Sequence, residues 1–358
     1  MLPHLSTRAP DFVFLMHFRD HADMYRVGAA SLLRRYSGDE NEFRAKMCSL
    51  PPLVVAEIVF GFAPIRGEVV GIGRMPEQLL QPGGTWAIME GVELALHRGA
   101  RVIGLGGLTS AATGGGLKLR RNLPSGATIT NGNAYTAMVV LHNVLDAKAT
   151  LGNTGRTTRI AVVGCTGSVG VPASGLLAEA GFDLILVGRS AKRAQHELGN
   201  IAPQAVFHGD LNGLRNANIV VLLTSDPAAH LLPEHVRPGT VVIDYAQPAN
   251  VLPSAYESFR NRNVTVVKGG IVRIPNYSCT ADFGLEDPRD TFACLAEAYL
   301  CAREGILQHS VGRPSLELAH RLDRAAERHG IRPRPLGLHT TTNELTMRED
   351  REAPARAV

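Results

Sequence analysis

The sequence predicts an α/β fold: a Rossmann-type parallel-sheet domain that follows an N-terminal α/β substrate domain, with C-terminal helices returning to the N-terminal domain. Three observations predict it. Apolar, β-branched runs recur at Ile160–Val163, Leu184–Val187, Ile219–Leu222 and Val241–Ile243, the mark of strands buried on both faces of a parallel sheet. Helical patterns separate several of these runs, as parallel pairing requires. The first run also feeds a glycine turn that opens a helix.

That turn reads Gly164-Cys-Thr166-Gly167-Ser168-Val169-Gly170, with Pro172-Ala-Ser-Gly-Leu-Leu-Ala-Glu-Ala continuing as a helix that closes at Gly181. A strand, a glycine turn and a helix N-terminus together cradle a pyrophosphate, because backbone N–H groups and the helix dipole both face the anion. The spacing is G-x-x-G-x-x-G rather than the commoner G-x-G-x-x-G. The next strand, Asp183–Val187, ends in Arg189-Ser190-Ala-Lys192-Arg193. An NAD site places a carboxylate there for the ribose 2′-hydroxyl, whereas this basic cluster suits a 2′-phosphate. NADPH is the expected cofactor. Later strands end at Thr224-Ser225, Asp244 and Gly269-Gly270, and the carboxyl ends of such strands line the ligand crevice.

The N-terminal part predicts strands over Leu53–Phe60 and Gly67–Gly73, and a helix opening at Met75-Pro76. A helix over Trp86–Arg98 carries Trp86, Met89, Val92 and Leu96 at helical spacing. A strand from Val102 runs into the small-residue loop Gly106-Gly107-Leu-Thr109-Ser110, with a further glycine run at Gly114–Gly116. Asn131-Gly-Asn133-Ala-Tyr135 introduces a helix to Leu151, with Met138, Leu141, Val144 and Leu145 on its apolar side. The turn Gly152–Gly155 is the expected boundary. The division is 1–152 for the substrate domain, 153–286 for the NADPH-binding Rossmann domain and 287–338 for the C-terminal helices. One helix follows Asp287-Pro288 and runs to about Arg303, and another runs from about Ser315 to His329. The polar tail 339–358 is expected to be disordered.

Composition narrows the function classes. With 358 residues, two domains are the prior, and 45% hydrophobic with 20% charged residues is ordinary for a globular protein. A net charge of +4 gives no support for nucleic-acid binding. No apolar run reaches the roughly 20 residues of a transmembrane span, and Met1–Ser6 does not open like a signal peptide. Phe12–Met16 reads as an edge strand or a peripheral membrane contact. The five cysteines show neither C-x-x-C spacing nor histidine neighbours, so free thiols in the cytoplasm, with no metal, are expected. Cys294, Ala298 and Cys301 share helical spacing, so Cys294 is either reactive or part of a small-residue packing seam. Cys165 reads as packing.

Several segments, in order, resemble the long-chain fatty acyl-[acyl-carrier-protein] reductases that form aldehydes. They are Met75-Pro-Glu-Gln-Leu-Leu80, Leu105-Gly-Gly-Leu-Thr-Ser110, Thr130-Asn-Gly-Asn-Ala-Tyr-Thr-Ala137, Ala161–Gly170, Lys268-Gly-Gly-Ile-Val272 and Phe292-Ala-Cys294-Leu-Ala-Glu-Ala298. The resemblance implies that Cys294 takes the acyl group from a carrier-protein or CoA thioester and that NADPH reduces the acyl-enzyme to an aldehyde. A thiolate nucleophile then needs cationic or dipolar neighbours that lower its pKa. Gly107, Thr109, Ser110, Asn133 and Tyr135 are candidates for substrate and oxyanion contacts, and Cys279 is the second candidate thiol. Arg34, Arg35, Lys118, Arg120 and Arg121 are candidates for meeting an acidic carrier, and an aldehyde-using enzyme is a further candidate partner.

Three segments depart from the family pattern. Tyr135 stands where the family has histidine, Asp244-Tyr-Ala-Gln-Pro248 lacks glycines after the aspartate, and Arg273–Cys279 differs throughout. Two alternatives therefore stay open. One is a shikimate-dehydrogenase-like oxidoreductase without a covalent intermediate, with a glutamyl-transfer-RNA-reductase-like layout beside it. The other is a non-catalytic NADPH-sensing or carrier-docking protein.

Overall fold

The computed structural model describes residues 8–61, 63–151, 158–226 and 229–338. The first sheet contains β1 (Phe12–His17), β2 (Leu53–Phe60), β3 (Arg66–Ile72), β4 (Val102–Leu105) and β5 (Thr128–Thr130). The second contains β6 (Arg159–Val163), β7 (Asp183–Val187), β8 (Val206–His208), β9 (Ile219–Leu222), β10 (Val241–Asp244) and β11 (Thr265–Lys268). Four short strands follow: β12 (Ile271–Arg273), β13 (Tyr277–Cys279), β14 (Asp290–Phe292) and β15 (Arg332–Pro333).

The second sheet is parallel throughout and runs β11-β10-β9-β6-β7-β8. Counted from its first strand this is the order 3-2-1-4-5-6 of the dinucleotide-binding Rossmann fold, with the topological switch between β6 and β9. Its central runs are buried on both faces, as their unbroken aliphatic sequences require. The first sheet runs β13-β2-β3-β1-β4-β5, with β1, β3, β4 and β5 parallel and β2 and β13 antiparallel to their neighbours.

Phe12–Met16 is therefore neither an edge strand nor a membrane contact. It lies between β3 and β4 with Phe12, Val13 and Leu15 fully buried, because a strand apolar on both faces gains most at the centre of a sheet. The helix Pro82–His97 turns Gly84, Ala87, Ile88, Gly91, Val92 and Ala95 inward, leaving Trp86 69% exposed. A Cβ on Gly91 would lie 2.5 Å from Ile72 Cδ1, so close approach of helix to sheet selects small residues on that face. Leu145 likewise faces out at 44% exposure.

The helix of Cys294 begins only at Ala293, not directly after Asp287-Pro288. Arg273 binds both Asp287 (2.7 Å) and Asp290 (2.8 Å), which holds β14 extended beside β12. The Ala293 N–H then donates to the Gly270 carbonyl at 2.8 Å. Helix Ala293–Arg303 returns to the first sheet, where a Cβ on Gly104 would come within 2.8 Å of Ala298 Cβ. β13 also joins that sheet, although it lies within the span 153–286. The boundary turn Gly152–Gly155, the tail 339–358 and Met1–Ser6 lie outside the described residues. Among the described residues no helix is long and apolar enough to cross a membrane.

Candidate active site

A cleft of about 960 Å³ opens between the carboxyl ends of the two sheets. Its second-sheet wall is the glycine turn. Gly164 has φ +83°, and a Cβ there would meet the Thr224 backbone nitrogen at 2.9 Å. A Cβ on Gly170 would lie 2.1 Å from the Gly164 carbonyl oxygen. Only glycine permits this tight return, which aims the ten-residue helix Gly170–Glu179 at the cleft. Gly164, Thr166, Gly167, Ser168 and Val169 line the wall, as do Thr224, Ser225, Gly269 and Gly270, while Gly170 sits behind them.

Of the basic cluster, Arg189 and Arg193 reach the cleft. Arg193 donates to the Thr166 carbonyl at 3.1 Å. Ser190 acts on the backbone instead, where its Oγ accepts the Arg193 N–H at 3.2 Å and caps the helix Ala191–Leu198. Lys192 is exposed and does not line the cleft. Arg313, which no sequence pattern singled out, also lines it and pairs with Glu197.

Asp244 does not line the cleft. Its buried carboxylate accepts the N–H groups of Ala246 (2.9 Å), Asn250 (2.8 Å) and Val251 (2.9 Å). An aspartate at a strand end with a tight loop ahead satisfies that loop's backbone first. Burial nevertheless pushes its pKa up, against those three N–H groups and the charge of Lys268. The next residue, Tyr245, forms cleft wall and donates its hydroxyl to Asn143 Oδ1 at 2.6 Å. That bond ties the second sheet to helix Asn133–Leu151.

Cys294 stands at the cleft as the second residue of the eleven-residue helix Ala293–Arg303. Ala298 and Cys301 turn into the core, so Cys294 is separate from that seam. No cation lowers its pKa. Burial pushes the thiol up to about 11, opposed by the N–H groups of Gly107, Leu295 and Cys294 itself. The expectation of a lowered pKa is not met: dipolar neighbours are present, but burial outweighs them and no cation adds to them. Gly132 has φ +73°, and a Cβ there would lie 2.3 Å from Cys294 Cβ, so the Asn131–Asn133 turn closes directly over the cysteine.

Of the candidate substrate contacts, Gly107, Ser110 and Asn133 line the cleft. Ser110 Oγ and Asn133 Nδ2 are buried with no protein partner. Thr109 and Tyr135 are elsewhere. Thr109 is fully buried and donates to the Gly106 carbonyl at 2.8 Å. Tyr135 belongs to the core, and burial raises its phenol. Cys279 pairs in β13 at the far edge of the first sheet and does not line the cleft, and Cys165 is fully buried. Lys118, Arg120 and Arg121 are exposed just after the cleft-lining Gly114-Gly115, whereas Arg34 pairs with Glu40 at 3.6 Å. Among the described residues no cluster of His, Cys, Asp or Glu is placed to hold a metal.

Glu297 also escaped the sequence patterns. It is fully buried one turn beyond Cys294, and burial raises its pKa. Its carboxylate accepts the Tyr135 N–H at 2.7 Å and the Thr130 hydroxyl. Its sequence signals were a charge inside the apolar stripe Leu295–Cys301 and its place in the segment Phe292–Ala298.

No protein-family model matches the chain. It is 28% identical over 316 residues to the long-chain acyl-[acyl-carrier-protein] reductase of Synechococcus elongatus, covering 81% of this chain and 90% of that protein. It is 24% identical over 261 residues to aminotransferase PigE of a Serratia species, covering 70% of this chain but 30% of that protein. Among solved structures, Escherichia coli YhdH with bound NADPH is similar at 19% identity and a TM-score of 0.31, over 38% of this chain and 43% of that one.

Proposed function

We propose that this protein reduces an acyl thioester, carried by an acyl carrier protein or coenzyme A, to an aldehyde with NADPH through an acyl-enzyme on Cys294. One observation carries the reading: a cysteine in the first turn of a helix faces the same cleft as a pyrophosphate-cradling glycine turn. The similarity to the Synechococcus reductase over most of both chains supports it.

The glycine turn fits the cofactor, since the Cβ positions of Gly164 and Gly170 are taken by backbone. Its N–H groups and helix dipole would hold the pyrophosphate, with Arg189 and Arg193 on the 2′-phosphate. When bound, NADPH supplies the hydride.

Cys294 Sγ attacks the thioester carbonyl, a Sγ–C bond forms, and the carrier sulfur leaves with the cysteine proton. After the acyl carbon is reduced, the Sγ–C bond breaks, releasing aldehyde and restoring the thiol with a proton from solvent. Both steps pass through a tetrahedral oxyanion, which wants preorganised donors. The Gly107 N–H and the unpartnered Ser110 Oγ and Asn133 Nδ2 are available for it. Thioester exchange is nearly isoenergetic, so the acyl-enzyme can accumulate when NADPH is withheld. An acidic carrier would meet Lys118, Arg120 and Arg121 beside the cleft.

The test is intact mass and peptide mapping after incubation with a panel of acyl thioesters without NADPH. An adduct on Cys294, absent in Cys294→Ala, supports the mechanism and names the preferred chain. No adduct with NADPH binding intact would replace it with a sensor or with direct hydride transfer to a carbonyl.

A further inference from the structure

Gly107 and Cys294 line the same cleft, where the Gly107 N–H opposes the rise in the thiol's pKa, and the loop that carries Gly107 hangs from the end of β1. The Gly106 N–H donates to the Leu15 carbonyl at 2.9 Å. Two residues on, the Leu108 N–H donates to His17 Nε2 at 3.0 Å. The other ring nitrogen, Nδ1, lies 2.7 Å from the Phe18 carbonyl oxygen. A carbonyl can only accept, so Nδ1 carries the proton and Nε2 is the acceptor, which is the tautomer the Leu108 N–H needs.

We propose that His17 is a positioning residue for acyl transfer: its neutral ring sets the Gly106–Leu108 loop so that the Gly107 N–H meets the oxyanion formed at Cys294. The inference rests on the thioester reading above. His17 does not line the cleft and touches no reacting atom; it acts through the peptide.

The fit between ring and loop is tight. Gly107 has φ +54° and ψ −131°, and a Cβ on it would lie 2.7 Å from His17 Nε2. The ring thus occupies the space a side chain would need, and the peptide cannot rotate toward it. His17 is 4% exposed, and burial pushes it down to about 4. The charges whose fields reach it are Asp23, Arg19 and Glu77, of which Asp23 is bound by Arg19 at 2.6 Å and Arg26 at 2.8 Å. The ring therefore stays neutral near pH 7. Protonation would turn Nε2 into a donor facing another donor and release the loop.

The test compares two reactions of the same sulfur in the full-length protein. Acylation by a thioester builds an oxyanion, whereas alkylation by iodoacetamide displaces iodide at a tetrahedral carbon and builds none. In His17→Leu, acylation of Cys294 should slow on the order of 10²-fold, the usual cost of misplacing an oxyanion donor. Alkylation should change by no more than about fivefold, from the loss of one N–H to the sulfur. His17→Gln, whose amide can both accept and donate, should recover most of the acylation rate, and His17→Ala, which also lacks the acceptor, carries the comparison if His17→Leu does not fold. Equal slowing of both reactions, or unimpaired acylation, in the variant that lacks the acceptor would overturn this inference alone. If no thioester acylates the wild-type protein while iodoacetamide still reacts, the thioester reading falls and takes this inference with it.

Discussion

Asp244 provides the sharpest separation between a cofactor contact and a structural frame. Its three bonds hold the Ala246–Val251 loop, and two of them, to Asn250 and Val251, end on buried residues. Asp244→Ala leaves those two N–H groups without an acceptor, at about 1–3 kcal/mol each. Adding the partly exposed Ala246 N–H, whose partner water can replace, the expected loss is about 3–5 kcal/mol, or on the order of 5–10 °C in Tm. Asp244→Asn keeps one oxygen for Asn250 and Val251 and removes a charge whose burial is costly, so its loss should be about 1 kcal/mol.

The pH dependence has a definite sign. The folded-state pKa of Asp244 is raised, so its contribution is fully present below the unfolded carboxylate value. It is lost as pH rises through the folded value. The stability advantage of wild type over Asp244→Asn should therefore shrink over that window. Urea unfolding from pH 3.5 upward and NADPH titration by fluorescence read both quantities. If Asp244→Asn kept wild-type stability but bound NADPH tenfold more weakly, the carboxylate would be a cofactor ligand and this reasoning would be wrong.

Two further outcomes follow from the cleft. With the thiol raised to about 11, alkylation of Cys294 in the free protein should rise about tenfold per pH unit from pH 7 to 10, followed by peptide mapping. A rate already flat at pH 7 would mean that the thiolate is preformed. Arg189→Ala and Arg193→Ala should each weaken NADPH binding by about 10- to 100-fold, the worth of one charged hydrogen bond, and leave NADH binding unchanged. Equal wild-type affinity for the two cofactors would remove the 2′-phosphate role.

Five of the six strands of the second sheet were legible in the sequence because each carries its own local signature, whereas β8, three residues at the sheet edge with none fully buried, does not. Ile160–Val163, the glycine turn and the helix after it need no distant partner to be recognised. The residues that the sequence did not single out are those whose surroundings come from far along the chain. Glu297 meets Tyr135 and Thr130 across 162 and 167 residues, and His17 meets Leu108 across 91. No periodicity reports such pairs. Trp86 and Tyr135 failed for a related reason: residue type predicts a preference for burial or for chemistry, whereas the helix rotation that decides it is set by the sheet beneath. β13 pairs with β2 more than 200 residues away, and nothing local in Tyr277–Cys279 announces that.

The helix Asn133–Leu151 has a consequence for how the cleft can admit its ligands. It takes the Glu297 carboxylate at its first turn, the Tyr245 hydroxyl at Asn143, and the His142–Asp323 contact (2.8 Å) from the helix Leu316–Arg328. Both halves of the protein are thus bolted to one axle. Swinging the halves apart would break the buried Tyr135–Glu297 bond and the partly buried Tyr245–Asn143 and His142–Asp323 bonds together, so the floor of the cleft is held by contacts from both sides.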